Sequence, residues 1–331
     1  MSTPPQICLF FNHKVHNCGV YQYGKRLFDI LNKDNIFIFE EPSTPITYIY
    51  YEIDCYAEYL RILLEHRINA IACIYNYHIS TMQWLNESTI QRNVKNIGIP
   101  HESPQHLFDI VCNIDPTAIS GVNQFTIPRP LFENIDDMIS TPITNPTVGE
   151  FINKYLQSNI PIFGSFGFGF DNKGFDRIVE FINGQYENAI IKFVIPGAYF
   201  DPYPERIHML KKRLFDIKTK PGIILMISHE FFSTTEILQF LHSNTMNIFL
   251  YDTMYGRGIS STIDYAMSVK KPIGISDSFM FRHIYSDKIC LYKNTVENCF
   301  LNSQNHLEPF FEKYSNKNIC LCFRKILNAL R

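Results

Sequence analysis

The stretch YGRGISSTIDYAMSVKKPIGIS, residues 255–276, carries residue types suited to binding an anion. Arg257, Gly258, Ser260 and Ser261 come just before a short helical pattern. The first N–H groups of a helix lack intrahelical partners, and the helix dipole favours negative charge there. A guanidinium binds phosphate oxygens in bidentate fashion, and glycine lets the backbone approach a ligand closely. The pattern predicts a phosphate site charged by Arg257; the alternative is a capped surface helix with a solvated arginine.

A second cation follows a glycine-rich strand end. In GSFGFGFDNKG, Gly167 lies where a strand ends and Lys173 precedes a helical pattern. Lysine serves as a mobile point charge for phosphate. When Gly167 and Gly169 begin the dinucleotide-binding pattern G-x-G-x-x-G, its third glycine falls on Asn172, and no acidic residue ends the next strand. The stretch therefore predicts a phosphate contact by Lys173 and argues against a nicotinamide or flavin cofactor. A solvent-facing loop lysine is the alternative.

Polar residues also follow strand patterns in the first half of the chain. His101 comes directly after NIGIP, where an imidazole can bind a hydroxyl group or relay a proton. The loop before the first helix pattern contributes His16, Asn17, Gly19 and Tyr21. We expect His101 to be catalytic and this loop to line a ligand cleft; the alternative is that both are ordinary connecting loops.

The sequence shows no spacing typical of a metal site. Asp-x-Asp triplets are absent, and histidine, cysteine and aspartate residues do not cluster at ligand spacing. The nine cysteines are scattered, mostly in apolar runs, which predicts buried thiols rather than disulfides or zinc. We therefore expect a metal-independent site whose negative charge is met by lysine, arginine and a helix dipole.

Charge and hydropathy exclude several classes of partner. The chain has 331 residues, with 30 basic and 32 acidic side chains and a formal net charge of -2. This balance gives no reason to expect nucleic acid as a partner. No apolar run reaches the roughly 18–20 residues that span a bilayer, and the first residues do not resemble a signal peptide. We expect a cytoplasmic protein without a transmembrane segment, and leave peripheral membrane contact open.

Two series of apolar strands and amphipathic helices must position these residues. Near-continuous apolar runs alternate with helical patterns up to about residue 131, beginning with ICLFF, a helix and IFIFE, and the alternation restarts at PIFGSFGF. This pattern is typical of α/β folds with parallel sheets covered on both faces. We predict two tandem doubly wound, Rossmann-like domains facing a central cleft. The expected boundaries are 1–140 for the N-terminal domain, 141–160 for a linker, 161–316 for the C-terminal domain and 317–331 for a helix that packs back on the N-terminal domain.

Three stretches resemble the large retaining family of nucleotide-sugar-dependent glycosyltransferases that have the GT-B fold. GFGFDNKGFDRIVEF resembles the family's glycine-rich segment, with Lys173 at its lysine position, and RGISSTIDYAMSVKKPIGIS resembles its EGFG…EAMACGKPV segment. NHKVHNCGVYQYGKRLFDIL resembles its N-terminal glycine loop and first helix. The chain departs from the family where Arg257 and Tyr265 replace two glutamates and Phe168 replaces an arginine. In this comparison Arg257 restores the cation lost at Phe168, and Asp264 offers a neighbouring carboxylate.

The resemblance implies a glycosyltransferase that takes a UDP- or GDP-sugar as donor and a glycan or other molecule as acceptor, with retention of configuration. The N-terminal domain would bind the acceptor and the C-terminal domain the donor. The implied donor residues form two groups, the phosphate contacts Lys173, Arg257, Gly258, Ser260 and Ser261, and the nucleoside or sugar contacts Gly167, Asp264, Tyr265 and Arg282. A sugar-nucleotide epimerase of the same fold and a non-catalytic sugar-binding module are the alternatives.

Overall fold

Short apolar runs form the strands of two parallel sheets, each flanked by helices. The computed structural model describes residues 6–37, 45–66, 70–101, 106–198, 200–256 and 258–330. The strands are β1 (Gln6–Asn12), β2 (Ile46–Glu52), β3 (Ala70–Tyr77), β4 (Lys95–Pro100), β5 (Ile110–Asn113), β6 (Gln124–Thr126), β7 (Ile162–Phe166), β8 (Ala189–Val194), β9 (Ile223–Ser228), β10 (Met246–Phe249) and β11 (Ile273–Ile275). The helices are α1 (Gly19–Leu31), α2 (Tyr56–His66), α3 (Ile135–Ser140), α4 (Pro146–Asn153), α5 (Phe175–Gln185), α6 (Arg206–Ile217), α7 (Thr234–Ser243), α8 (Thr262–Ser268), α9 (Val296–Lys313) and α10 (Asn316–Ala329).

The chain divides into two structural units. Unit 1 contains the described residues of 1–130 and 311–331, and unit 2 contains those of 131–310. Each unit has one sheet, and the named strands of both sheets pair in parallel. Parallel pairing requires crossover connections, which helices supply from β1 to β3 and from β7 to β11.

Unit 1 has the strand order β2-β1-β3-β4-β5-β6. The chain proceeds outward in both directions from the β1–β3 pair, so this pair is the switch point of the sheet. Helices α1 and α10 contribute to one apolar core on this sheet. A buried ion pair fastens α10, because Arg324 Nε donates to Asp34 Oδ1 at 3.0 Å.

Unit 2 has the strand order β11-β10-β7-β8-β9, with its switch point between β7 and β10. Its main core joins β7, β8, β9 and β10 to α5, α6 and the start of α9. Within this unit, α4 is tied to β8 by Lys192, whose buried Nζ donates to the carbonyls of Ile152 at 2.8 Å and Lys154 at 2.6 Å. These carbonyls belong to the end of α4, where a cation complements the helix dipole.

Some elements differ from the sequence expectations. The strand expected over residues 36–40 lies largely outside the described residues, and Ile36 itself ends a short 3₁₀ turn. The strand β2 and the 18-residue helix α9 were not anticipated. The nine cysteines are free, and six of them are buried.

A search of the described residues for helices that combine the length and apolarity needed to cross a membrane finds none.

Candidate functional site

The switch point of the unit 2 sheet gathers residues from distant parts of the sequence. Gly167 follows β7 directly, and Tyr251 follows β10 by two residues. Ligands of open α/β sheets bind outside the carboxyl ends of strands at such a point. The fold therefore places these two residues where a ligand is expected.

Lys173 reaches this point from the loop between β7 and α5. Its ammonium lies over the Tyr251 ring, 4.0 Å from the ring centroid, a cation–π geometry. The lysine ends a 3₁₀ turn, and Gly174 follows with a φ of 64°. A Cβ at Gly174 would lie 2.0 Å from the Leu250 carbonyl oxygen, so only glycine brings the lysine turn this close to β10.

Tyr251 also connects the lysine to the start of α8. Its hydroxyl oxygen lies 3.1 Å from Thr262 Oγ1, which lies 2.8 Å from Ser260 Oγ. A Cβ built on Gly167 would contact the same tyrosine hydroxyl at 3.5 Å. The structure thus brings three expected residues, Gly167, Lys173 and Ser260, around one tyrosine that the sequence analysis missed. The available signal was that Tyr251 ends the apolar run MNIFLY.

The other expected residues of α8 and its loop have different environments. Arg257 lies outside the described residues, and Gly258, which is partly buried, follows it. Ser261 precedes α8 without forming a side-chain capping bond among the described residues. Asp264 is fully buried. Tyr265 packs on Phe132 and Phe166, with ring centroids 4.9 and 5.7 Å away.

Two further side chains of unit 2 make local contacts. Arg282 Nη1 donates to the Phe279 carbonyl at 2.7 Å, and its guanidinium carbon lies 4.0 Å from the Phe279 ring centroid. Phe168 belongs to an aromatic cluster with Phe170 and Phe200, whose ring centroids lie 6.3 and 5.8 Å from its own. The apolar side chain of Phe168 therefore occupies the position at which the family that the sequence resembles has an arginine.

The switch point of the unit 1 sheet carries a chain of buried amides that ends at His101. Asn76 Nδ2 donates to Asn12 Oδ1 at 2.9 Å and to the Val20 carbonyl at 2.8 Å. The His101 Nε2 atom lies 2.8 Å from Asn76 Oδ1. Asn12 and Asn76 come from neighbouring strands β1 and β3, and neither was anticipated as part of a site.

The environment of His101 determines its charge. Burial, together with the positive charge of Arg129, lowers the pKa of His101 to about 3. The ring packs edge-on against Tyr23, with centroids 5.0 Å apart. A group with this pKa is neutral near pH 7 and acts there through hydrogen bonds rather than through charge.

Glu52, at the end of β2, organises the loop that precedes α1. Tyr21 donates its hydroxyl to Glu52 Oε1 at 2.5 Å, and His16 Nε2 lies 2.9 Å from Glu52 Oε2. The His16 and Tyr21 rings lie 4.5 Å apart. Asn17 is exposed and Gly19 begins α1. Two of the four expected loop residues, His16 and Tyr21, therefore contact a carboxylate that was not anticipated.

One group among the described residues has the spacing of a metal site. A carboxylate oxygen from Asp54, the Cys55 sulfur and a carboxylate oxygen from Glu58 lie within 4.8 Å of one another, at mostly exposed positions. The Lys14 ammonium already lies 3.5 Å from Asp54 Oδ2 and 2.8 Å from Glu58 Oε1. This ion-pair arrangement explains the cluster without a metal ion, and metal independence stays a prediction.

Comparison with known proteins finds similarity in structure only. No family model and no curated protein matches the sequence. A glycosyltransferase from Rickettsia africae ESF-5 has a TM-score of 0.64 at 11% identity, covering 99% of both chains. Anabaena Alr3699/HepE in complex with UDP and glucose has a TM-score of 0.62 at 10% identity, covering 98% of this chain and 100% of that one.

A third structure is described as trehalose-6-phosphate from E. coli bound with UDP-2-fluoro glucose. It has a TM-score of 0.63 at 10% identity, covering 97% of this chain and 99% of that one. Identities this low establish shared architecture, not shared chemistry. The chain therefore shares the GT-B fold of these structures, with two Rossmann-like units in one polypeptide.

Proposed function

We propose that the chain is a glycosyltransferase that moves a sugar from a nucleotide-sugar donor to a glycan acceptor. The grouping of Lys173, Tyr251, Thr262 and Ser260 at the switch point of unit 2 carries this proposal. This grouping supports the proposal because a cation and several hydroxyl groups lie together at the carboxyl ends of the strands, where α/β folds bind ligands. UDP-sugars are the first donors to test, because two of the similar structures are described with UDP or a UDP-sugar derivative; GDP-sugars are the second.

The proposed chemistry follows from charge. When the bond between the sugar and the diphosphate breaks, negative charge grows on the departing diphosphate. Lys173 and Arg257 would neutralise it, and a group that stabilises the transition state more than the ground state accelerates the reaction. Contact with the Tyr251 ring restricts the lysine ammonium to one side of the site. Gly258 and Ser261 would add backbone or hydroxyl contacts without a metal ion.

Unit 1 would supply the contacts to sugar and acceptor. His101 would bind the transferred sugar as a neutral imidazole, and the loop residues His16, Asn17, Gly19 and Tyr21 would line the acceptor side. Retention of configuration, taken from the family resemblance, completes the proposal.

A product analysis with a donor panel tests the proposal. The protein is incubated with UDP- and GDP-hexoses, with and without a mixture of oligosaccharide acceptors, and the products are separated and assigned by NMR. We expect a glycoside whose anomeric configuration matches that of the donor, in the presence and absence of EDTA. Conversion of the donor to an epimer without acceptor would assign an epimerase, and donor binding without turnover would assign a sugar-binding module. Absence of both binding and turnover for every donor would contradict the proposal.

A further inference from the structure

Unit 2 contains a cavity of about 550 Å³ that takes no part in the candidate donor site. Residues of α4, of α7 and of the segment between α3 and α4 line it, together with Lys271. Helix α7 ends just before β10 begins, and Lys271 lies two residues before β11, so the cavity lies toward the amino ends of these strands. Lys173 and Tyr251 lie at the carboxyl ends. A cavity of this size is large enough for a small organic ligand.

Gln239, in α7, has an unpaired acceptor where it lines this cavity. The residue is only 6% exposed, and its Nε2 donates to the carbonyls of Met138 and Ile139 at 3.1 Å and of Thr141 at 2.6 Å. Carbonyls only accept, so the NH₂ group must face them and Oε1 is fixed as an acceptor on the other side of the amide. Oε1 has no hydrogen-bond partner among the residues that the structure describes. A buried acceptor without a partner is costly, which points to a ligand donor that completes it.

Lys271 supplies positive charge to the same cavity. No carboxylate of the described residues lies within ion-pair distance of its ammonium. Burial and the charge of Lys271 lower the pKa of His242, which lies one helical turn after Gln239. The ring of His242 is therefore neutral near pH 7, and its buried Nδ1 has no partner in the described part of the chain. The cavity thus combines one cation with uncharged polar groups.

Aliphatic side chains supply much of the cavity lining: Ile139, Ile143, Ile152 and Leu156. Both helices that carry these walls are fastened to the rest of the unit. Gln239 binds the carbonyls at the end of α3, and the buried ammonium of Lys192 binds those at the end of α4. The cavity is therefore part of the fixed packing of unit 2.

We propose that this cavity binds a small monocarboxylic acid that has an apolar body and an N–H or O–H donor. The donor binds Gln239 Oε1, the apolar body packs on the aliphatic side chains, and the carboxylate pairs with Lys271. One lysine matches the single charge of a carboxylate, whereas a nucleoside diphosphate carries more charge than one ammonium offsets. A saccharide would leave the aliphatic lining without apolar contacts. The proposal does not rest on the proposed function.

Isothermal titration of the full chain with three acids tests the proposal. The acids are 2-hydroxy-4-methylpentanoate, N-acetylleucine and 3-(4-hydroxyphenyl)propanoate, which differ in the kind and position of the donor. We expect at least one to bind with a Kd in the millimolar range or below. Its analogue without the donor, 4-methylpentanoate, N-acetyl-N-methylleucine or 3-phenylpropanoate, should bind at least about fivefold more weakly, because Gln239 Oε1 then stays unpaired. Absence of binding by all three acids, or equal affinity for the analogue, would overturn the proposal.

Gly149→Leu fills the cavity from α4. A Cβ at Gly149 approaches only Ile143, at 3.7 Å, which is an ordinary contact. Leucine also has the better helix propensity, so we expect the variant to keep at least the Tm of the parent. Binding of the best acid should weaken at least about tenfold. Gly184→Leu, in α5, is the matched control, because a Cβ there meets nothing within 4 Å. Parental affinity in Gly149→Leu would place the acid elsewhere and overturn the proposal.

Two lysine variants locate the carboxylate and separate this proposal from the proposed function. Lys271→Gln, at a partly exposed position, should weaken binding of the acid by about threefold or more, and Lys212→Gln, at an exposed position of α6, is its control. Lys173→Ala should leave the affinity for the acid unchanged and weaken that for UDP. Loss of acid binding in Lys173→Ala but not in Lys271→Gln would assign the acid to the donor site and overturn the proposal. Failure of the parent protein to bind UDP would count against the proposed function alone.

Discussion

Tyr251 joins residues that are far apart in the sequence into one candidate site. The distance between its ring centroid and the Lys173 ammonium is 4.0 Å, and its hydroxyl reaches Thr262. Lys173 was predictable, because a lysine after a glycine-rich strand end is a local pattern. Tyr251 was not, because its position beside Lys173 depends on the pairing of β7 with β10, which are separated by about eighty residues of sequence. The same reason applies to Asn12 and Asn76, which meet only because β1 pairs with β3.

Lys173→Ala tests the phosphate contact. Loss of a hydrogen bond to a charged group costs about 1.5–3 kcal/mol, so we expect the affinity for UDP to fall roughly 10- to 150-fold. Uridine lacks the diphosphate, so its affinity should change less than about twofold. Isothermal titration measures both, and Lys212→Ala, at an exposed lysine of α6 in the same unit, is the control. Equal losses for UDP and uridine would show that Lys173 does not contact phosphate.

At the scale of elements, sequence patterns predicted all five strands of the unit 2 sheet and missed the two edge strands of the unit 1 sheet, β2 and β6. Buried strands such as β1, β7 and β8 consist mostly of apolar residues. The edge strand β2 is partly exposed and rich in tyrosine. The run IFIFE before it is more apolar and was therefore predicted as the strand instead. Helix α9 was missed because its sequence is mostly polar and contains Pro309, so packing rather than local propensity determines it.

Gly24 shows how an element is shaped by the site that it covers. This glycine lies inside α1, where it costs about 1 kcal/mol relative to alanine. A Cβ at this position would lie 2.3 Å from Asn76 Nδ2 and 2.9 Å from Asn12 Nδ2, so the helix could not pack as closely on the buried amides. Gly24 therefore lowers the helix propensity of α1 but lets the helix pack closely on Asn12 and Asn76.

Gly24→Ala should destabilise unit 1 despite the better helix propensity of alanine. Overpacking of this kind costs about 1–3 kcal/mol. Gly184→Ala, in α5, is the matched control, because a Cβ there meets nothing within 4 Å; we expect it to be neutral or to stabilise by up to about 1 kcal/mol. Urea unfolding followed by circular dichroism measures both. A gain in stability for Gly24→Ala equal to that of the control would contradict the close packing.

At the scale of the whole molecule, the architecture was predictable and the identity of the ligands was not. Repeated strand–helix patterns indicate doubly wound sheets without any homologue, and the similar structures share this architecture at 10–11% identity. Each sheet has a polar site at its switch point, one with a lysine and hydroxyl groups and the other with neutral imidazoles. The difference between these sites arises from a few side chains, which the sequence pattern of the strands does not constrain.

The buried histidines predict how global stability depends on pH. Burial lowers the pKa of His13 to about 4 and that of His101 to about 3, from an ordinary value of 6.5. At pH values between the lowered pKa and 6.5, the unfolded chain binds protons on these histidines and the folded chain does not. The free energy of unfolding is therefore highest above about pH 6.5 and decreases as the pH falls. Each histidine adds a slope of up to about 1.4 kcal/mol per pH unit.

Urea unfolding at pH 7, 6 and 5 checks this expectation. His13→Gln should reduce the loss of stability between pH 6 and 5 by up to about 1.4 kcal/mol, because one buried titrating group has been removed. His106→Gln, at an exposed position, serves as the control and should retain the pH dependence of the parent. An unchanged pH dependence for His13→Gln would mean that the pKa of His13 does not differ between the folded and unfolded chain.

The most direct test of the proposed donor site is the thermal stability of the protein with nucleoside diphosphates. UDP, GDP, CDP, ADP and dTDP are each added at millimolar concentration, and Tm is measured for the parent and for Lys173→Ala. A ligand at about 100 times its Kd stabilises the folded state by roughly 2.7 kcal/mol, so we expect at least one diphosphate, with UDP first, to raise the Tm by several degrees. The same ligand should have a much smaller effect on Lys173→Ala. An unchanged Tm of the parent protein with all five diphosphates would contradict the donor site.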